Sequence, residues 1–182
     1  LLIKLLFEIT DILLIEYVAE KNKPIILSTG IATLGEIEEA IKVIKSKDNC
    51  QIIILKCTSA YPSKPEEINL KSINSLQKSF GVTAGLSDHT LGIEVPIAAV
   101  TLGAKIVEKH IILSRSDRGV DSEFSLEPDE FKAMVNGIRN IEKALGQEEY
   151  ILSERAKESR EFARSLFVSE DIKKARYLMR KM

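Results

Sequence analysis

Short apolar runs at residues 1–7, 24–27, 52–55, 82–86 and 105–111 alternate with amphipathic stretches long enough to be helices. This rhythm narrows the fold sharply. Strand, helix and strand in repeated alternation is the pattern expected of parallel strands joined by crossover helices packed against the sheet. The helices carry readable ends. Thr33 and Glu36 form a capping box ahead of Ile37, Ala40, Ile41 and Ile44. Pro128, Asp129 and Glu130 open a helix bearing Phe131, Met134, Val135, Ile138 and Leu145, and Gly146 stops it. Two more helices are expected at 68–80 and 93–102, the second tolerating Pro96 because it falls in the first turn. Beyond Gly146 the rhythm changes to a charged, helical 153–163, a short apolar 164–168 that reads as a strand, and a basic end.

Five parallel strands fit either an open, doubly wound sheet or most of a (β/α)8 barrel. A complete barrel takes about 250 residues, so the first 146 would hold roughly five of its eight units. The strand ends favour the barrel. Polar or reactive residues follow every strand: Glu8, then Ser28-Thr29-Gly30, then Lys56 through Pro62, then Ser87-Asp88-His89, then Glu108-Lys109-His110. A closed ring aims all such ends at one mouth, whereas an open sheet uses only those at its switch point.

Composition removes several classes of function. With 26 basic and 27 acidic residues among 182, and 5% aromatics, the chain has neither the basic surplus nor the stacking platform of a nucleic-acid binder. Lys4 interrupts the first apolar run and Glu8 and Asp11 follow at once, so it reads as a buried strand rather than a leader or a membrane span. Cys50 and Cys57 suit neither a zinc knuckle nor a redox pair, and a reducing, cytoplasmic setting is expected for them.

The only two histidines, His89 and His110, both end strands. On neighbouring parallel strands they can share a divalent metal ion, the alternative being two rim imidazoles bonded to backbone. Asp88 is placed to orient an imidazole from behind. Lys56, at the end of the central strand, offers a different chemistry, a Schiff-base aldolase.

The motifs Phe7-Glu8-Ile9-Thr10-Asp11, Lys56 through Pro62, Gly85 through Gly92 and Phe124-Ser125-Leu126-Glu127-Pro128 resemble the N-acetylneuraminate (sialic acid) synthase family, and within it the pseudaminic acid synthase branch most closely. The resemblance implies condensation of phosphoenolpyruvate with an N-acetylated amino sugar and release of phosphate. It implies a divalent cofactor, Mn2+ or Mg2+, on His89 and His110, and a cytoplasmic homodimer that engages neither nucleic acid nor membrane. By the same resemblance Lys4, Ser28, Ser59 and Ser87 hold phosphoenolpyruvate, Tyr61 and Asp121 hold the sugar, and Glu8 acts with the histidines in catalysis.

The resemblance also divides the chain into the last five units of a barrel (1–146), a charged helical linker (147–163) and the start of an antifreeze-like domain (164–182). Measured against the family pattern, both ends are short. Three preceding β/α units with a glutamate and a phosphate-binding lysine are missing, as is an arginine from the antifreeze-like domain. The chain is therefore expected to be a fragment with little activity alone, or a non-catalytic remnant. The segment Lys4-Leu5-Leu6-Phe7 is also one residue shorter than the family's Lys-Ile-Ala-Ser-Phe, and a one-residue slip turns a strand side chain to the other face. The face on which Lys4 falls is left to the tertiary structure.

Overall fold

A computed structural model describes residues 2–165 and 167. The chain divides into two compact units, Leu1–Gly146 and Gln147–Met182. In the first, β1 (Ile3–Leu5), α1 (Ile12–Ala19), β2 (Ile25–Ser28), α2 (Leu34–Ser46), β3 (Ile52–Cys57), α3 (Ser72–Phe80), β4 (Thr83–Asp88), α4 (Glu94–Thr101), β5 (Val107–Lys109) and α5 (Pro128–Leu145) follow one another in strict alternation.

All five strands are parallel and lie in the sheet in chain order, β1-β2-β3-β4-β5. A doubly wound sheet would reverse its order at a switch point, and this one does not. Its curvature is shown by one ion pair, Lys4 Nζ on Glu108 Oε1, which joins the two outermost strands. Laid flat, four steps of about 4.8 Å would hold β1 and β5 roughly 19 Å apart. Two side chains can meet over that span only if the sheet curls into a sector of a barrel with both residues on its inner face.

Alternation along the strands sorts the remaining residues. Ile25, Leu27, Ile52 and Ile54 face outward and are buried with Ile37, Ile41 and Ile44 of α2. Ala84 and Leu86 pack with Ile73 of α3 and Ala99 of α4. Fully burying each large aliphatic side chain contributes about 1.5–3 kcal/mol, so these two clusters hold the helices to the sheet. The inner face carries Lys4, Ser28, Leu55, Cys57, Ser87 and Glu108.

Helix ends follow the expected chemistry. Thr33 and Glu36 complete a capping box on α2, and Pro128 stands at the first turn of α5. Two helices differ from the sequence reading. Helix α3 begins at Ser72, because 65–67 form a 3-10 turn and Asn69 takes a left-handed φ of 51°. Helix α1 is an addition. Its opening Ile12-Leu13-Leu14-Ile15 is apolar all round and so lacks a helical period, but Asp11 caps it by accepting from Leu14 N–H at 3.0 Å.

In the second unit, 153–163 forms α6 (Glu154–Ser159), capped by Ser153, followed by a 3-10 turn at Arg160–Phe162. The strand expected at 164–168 and the antifreeze-like segment 164–182 run into positions outside the described residues. No described helix is long and apolar enough to cross a membrane.

Candidate active site

The inner face and the loops at the C-terminal ends of the strands enclose a cavity of about 480 Å3. Lys4, Tyr61, His89, Glu108, His110 and Asp121 line it. Its centre is the histidine pair. Asp88 and Lys109 are register partners on β4 and β5, so His89 and His110 follow side by side where the strands end. Their ring centroids lie 5.2 Å apart.

His89 is buried, and its Nδ1 lies 3.2 Å from the carbonyl oxygen of Thr58. A carbonyl can only accept, so Nδ1 carries the proton and Nε2 keeps a free lone pair. Burial pulls the His89 pKa below its ordinary value, and the neighbouring His110 adds to that pull against the Thr58 bond. The imidazole is thus held neutral, as a metal ligand must be. Asp88, expected to orient an imidazole, does not touch one. It is turned to the helix side, and a backbone carbonyl takes the orienting role instead.

His110 is half-buried, with Nδ1 3.6 Å from Asp121 Oδ2. Asp121 reaches it because Leu126 N–H donates to the His110 carbonyl and Ile112 N–H to the Leu126 carbonyl, folding the 113–125 loop back over the mouth. That fold also seats the buried ring of Phe124 5.0 Å from His110. Tyr61 is brought in similarly. Ser63 N–H donates to the His89 carbonyl, its hydroxyl to the carbonyls of Thr58 and Ala60, and the Tyr61 ring ends 4.3 Å from that of His89. Burial, then the acidic groups nearby, raise the Tyr61 pKa, so its hydroxyl remains a donor.

Lys4 points into the cavity, which settles the question of its face. Its partner Glu108 also accepts from Ser87 Oγ at 2.7 Å. Burial pushes the Glu108 carboxyl up, but the bonds from Lys4 and Ser87 together outweigh it and leave its pKa below the ordinary value. Ser28 lies on the same inner face, 1% exposed, with no hydrogen-bond partner for its hydroxyl within the described protein. Ser59 packs over Gly30, where a Cβ would collide with its Oγ and lie 3.0 Å from Cys57 Sγ.

Ser28, Ser59 and Ser87 share the inner side of the sheet without lining the cavity, and two further sequence-derived candidates, Glu8 and Lys56, stand apart from that side. Glu8 is exposed in the 3-10 turn Phe7–Thr10, where its carboxylate accepts from Leu6 N–H at 2.9 Å. The three-residue β1 ends there and leaves that donor unpaired by the sheet. Lys56 stands on the helix-facing side of β3, register partner of Leu86, with its ammonium bonded to the Cys57 carbonyl at 2.6 Å. Burial lowers its pKa, as a Schiff-base lysine requires, but it does not line the cavity. Phe124, Glu108 and the Asp88–Lys109 pair are the site features that the sequence reading had not assigned.

The donor set suits a divalent ion with open coordination positions. Nitrogen ligands bind such ions at about 2.1 Å, and rings 5.2 Å apart can reach a common one. No cage of three or more His, Cys, Asp or Glu side chains is formed among the described residues. The protein therefore offers two nitrogens and leaves further positions to oxygen donors.

Fold and cavity define a sector of a (β/α) barrel with its polar site at the C-terminal mouth of the strands. A profile of the NeuB family matches residues 6–150, and the chain belongs to that family. It is 49% identical over 168 residues to a pseudaminic acid synthase of Campylobacter jejuni, covering 92% of this chain and 49% of that protein. Identity to the pseudaminic acid synthase of Helicobacter pylori is 50% over 173 residues, covering 94% and 51%. The crystal structure of an N-acetylneuraminic acid synthetase from Leptospira borgpetersenii, in complex with citrate, superposes with a TM-score of 0.80 at 36% identity, over 88% of this chain and 56% of that one. The chain spans about half the length of the curated relatives it matches.

Proposed function

We propose that this chain carries the metal- and substrate-binding half of a nonulosonic acid synthase, of the pseudaminic type, that joins phosphoenolpyruvate to an N-acetylated amino sugar. The observation that carries this reading is the pair His89–His110, set side by side just beyond the register partners Asp88 and Lys109, at the wall of a cavity that also holds Lys4, Tyr61 and Asp121. In the overall reaction the enol carbon of phosphoenolpyruvate bonds to the aldehyde carbon of the sugar, a water oxygen is added and phosphate leaves.

Each residue has a task that suits its chemistry. A divalent ion, Mn2+ or Mg2+, on His89 and His110 would supply polarisation of the sugar carbonyl. The ammonium of Lys4 and the hydroxyls of Ser28, Ser59 and Ser87 neutralise and bond the anionic oxygens of phosphoenolpyruvate. Ser28 fits this role well, since its buried hydroxyl has no partner among the described residues. Tyr61 and Asp121 bond sugar hydroxyls, and Phe124 backs His110 with an apolar wall that limits water near the reacting carbons. Glu108 keeps Lys4 aimed inward while the site is free of substrate. Glu8, bonded to the Leu6 N–H at the edge of the mouth, keeps the catalytic role that the family resemblance implies as an open proposal.

The test is Mn2+ binding to the full chain, followed by electron paramagnetic resonance, together with phosphate release from phosphoenolpyruvate and N-acetylated amino sugars. Binding should be lost in His89→Ala and in His110→Ala. Equal binding by both variants would refute the reading. So would borohydride trapping of a substrate on Lys56, which would restore the aldolase alternative.

A further inference from the structure

Each histidine is preceded by a charged residue, Asp88 before His89 and Lys109 before His110, and these two residues are opposite in sign. We propose that the buried Asp88–Lys109 ion pair is a positioning device for the histidines, locking β4 to β5 in the one register that sets His89 against His110.

The geometry supports this directly. Asp88 and Lys109 are Cα partners in the parallel ladder, and their side chains are 0% and 1% exposed. Lys109 Nζ lies 2.5 Å from Asp88 Oδ2 and also donates to the carbonyl of Thr90. Asp88 in turn accepts from the Thr90 hydroxyl at 2.9 Å and the Thr90 N–H at 3.1 Å. One ammonium from β5 thus grips the chain on both sides of His89. Because strand side chains alternate, sending residues 88 and 109 to the helix side sends 89 and 110 to the mouth.

The ladder alone is a weak guarantee of this arrangement. Strand β5 has three residues and pairs with β4 at three positions. A slip of one residue would turn His110 to the wrong face. A buried ion pair contributes little net stability compared with apolar groups of the same size, while setting register is its best-attested use. Stability and registry can therefore be separated by experiment.

The inference relies on the metal reading above for its ligand but not for its geometry. The full 182-residue chain is compared with the double variant Asp88→Leu/Lys109→Met, which leaves no charge buried. Urea unfolding reports the fold, nitrogen-15 imidazole spectra without metal report the His89 tautomer, and Mn2+ resonance reports affinity. The expected result is a folded variant whose His89 Nδ1 signal moves from its single parental position, with Mn2+ affinity reduced by about tenfold or more. A folded variant with parental imidazole signals and affinity would overturn the proposal. An unfolded one would also overturn it, by assigning the pair to the fold as a whole. If the parent chain binds no Mn2+ but the imidazole signals still move, the metal reading falls and the positioning role stands.

Discussion

Replacing Gly85 with alanine should damage both the sheet and the site, because the space for a Cβ is already taken. Gly85 faces the barrel interior in the middle of β4. A Cβ built there runs into the carbonyl oxygen of Ile106 and lies 2.8 Å from Leu55 Cδ2. Carbon atoms pack at about 3.5–4.0 Å, so the leucine alone would have to retreat by roughly 0.7 Å or more. The Ile106 carbonyl cannot give way cheaply, since it accepts the ladder bond from Leu86 N–H at 2.9 Å. Overpacking of this kind costs about 1–3 kcal/mol, and an obstacle made of backbone puts Gly85→Ala toward the upper end. Gly35 serves as an internal control. It lies in the first turn of α2 with nothing within 4 Å of its would-be Cβ, so Gly35→Ala should be neutral or stabilise by up to about 1 kcal/mol. Urea unfolding at constant m-value measures both. A Gly85→Ala chain within about 0.5 kcal/mol of the parent would refute the claim that β4 and β5 meet this closely.

Ser28→Ala should leave stability unchanged or raise it by about 1 kcal/mol, since it removes a buried hydroxyl that has no partner among the described residues. The same change should weaken phosphoenolpyruvate binding, measured by calorimetry, and a loss of stability without any loss of binding would remove Ser28 from the site. The two cysteines should separate under a thiol reagent at neutral pH. Cys50 is exposed and should react first, whereas burial raises the Cys57 pKa, keeps it protonated and hides it, so its reaction should accelerate only as pH rises or the chain unfolds. Simultaneous reaction of both in the folded chain would contradict the packed inner face. Ile54→Ala, at a fully buried position between β3 and the helices, should cost about 2–5 kcal/mol in urea unfolding. A smaller loss would mean that the outer core is looser than the structure shows.

Much of the fold was legible because burial leaves a periodic trace. All five strands, the capping box at Thr33 and Glu36 and the Pro128 start of α5 follow from apolar runs and local end chemistry, which are properties of neighbouring residues. Helix α1 was not placed because its opening turn, Ile12-Leu13-Leu14-Ile15, is apolar on all sides and shows no period to read. In the site, His89 and His110 could be paired from their places at strand ends, and Tyr61 and Asp121 joined them as the family resemblance implied. The contacts hidden from the sequence are those whose partners are distant in sequence or belong to the backbone. Glu8 accepts from the backbone of Leu6, and Asp88 was read as a histidine partner but belongs to Lys109, 21 residues away. A signal for that pair did exist, since Ser87-Asp88-His89 and Glu108-Lys109-His110 place opposite charges at matching positions.

The sequence by itself determined the alternation of strands and helices, the parallel sheet, and the placing of polar chemistry at the strand ends. These depend on hydrophobic period and chain connectivity, which act along the chain. Only the tertiary structure decided that the sheet curls far enough for Lys4 to meet Glu108, and that Lys56 is turned away from the cavity. It also decided that Phe124 closes the wall behind His110, and that Asp88 and Lys109 pair on the far side of the sheet. The physical reason is common to all four. Which face a side chain takes, and what it meets there, depends on register and curvature across strands, and neither is encoded by any residue's immediate neighbours.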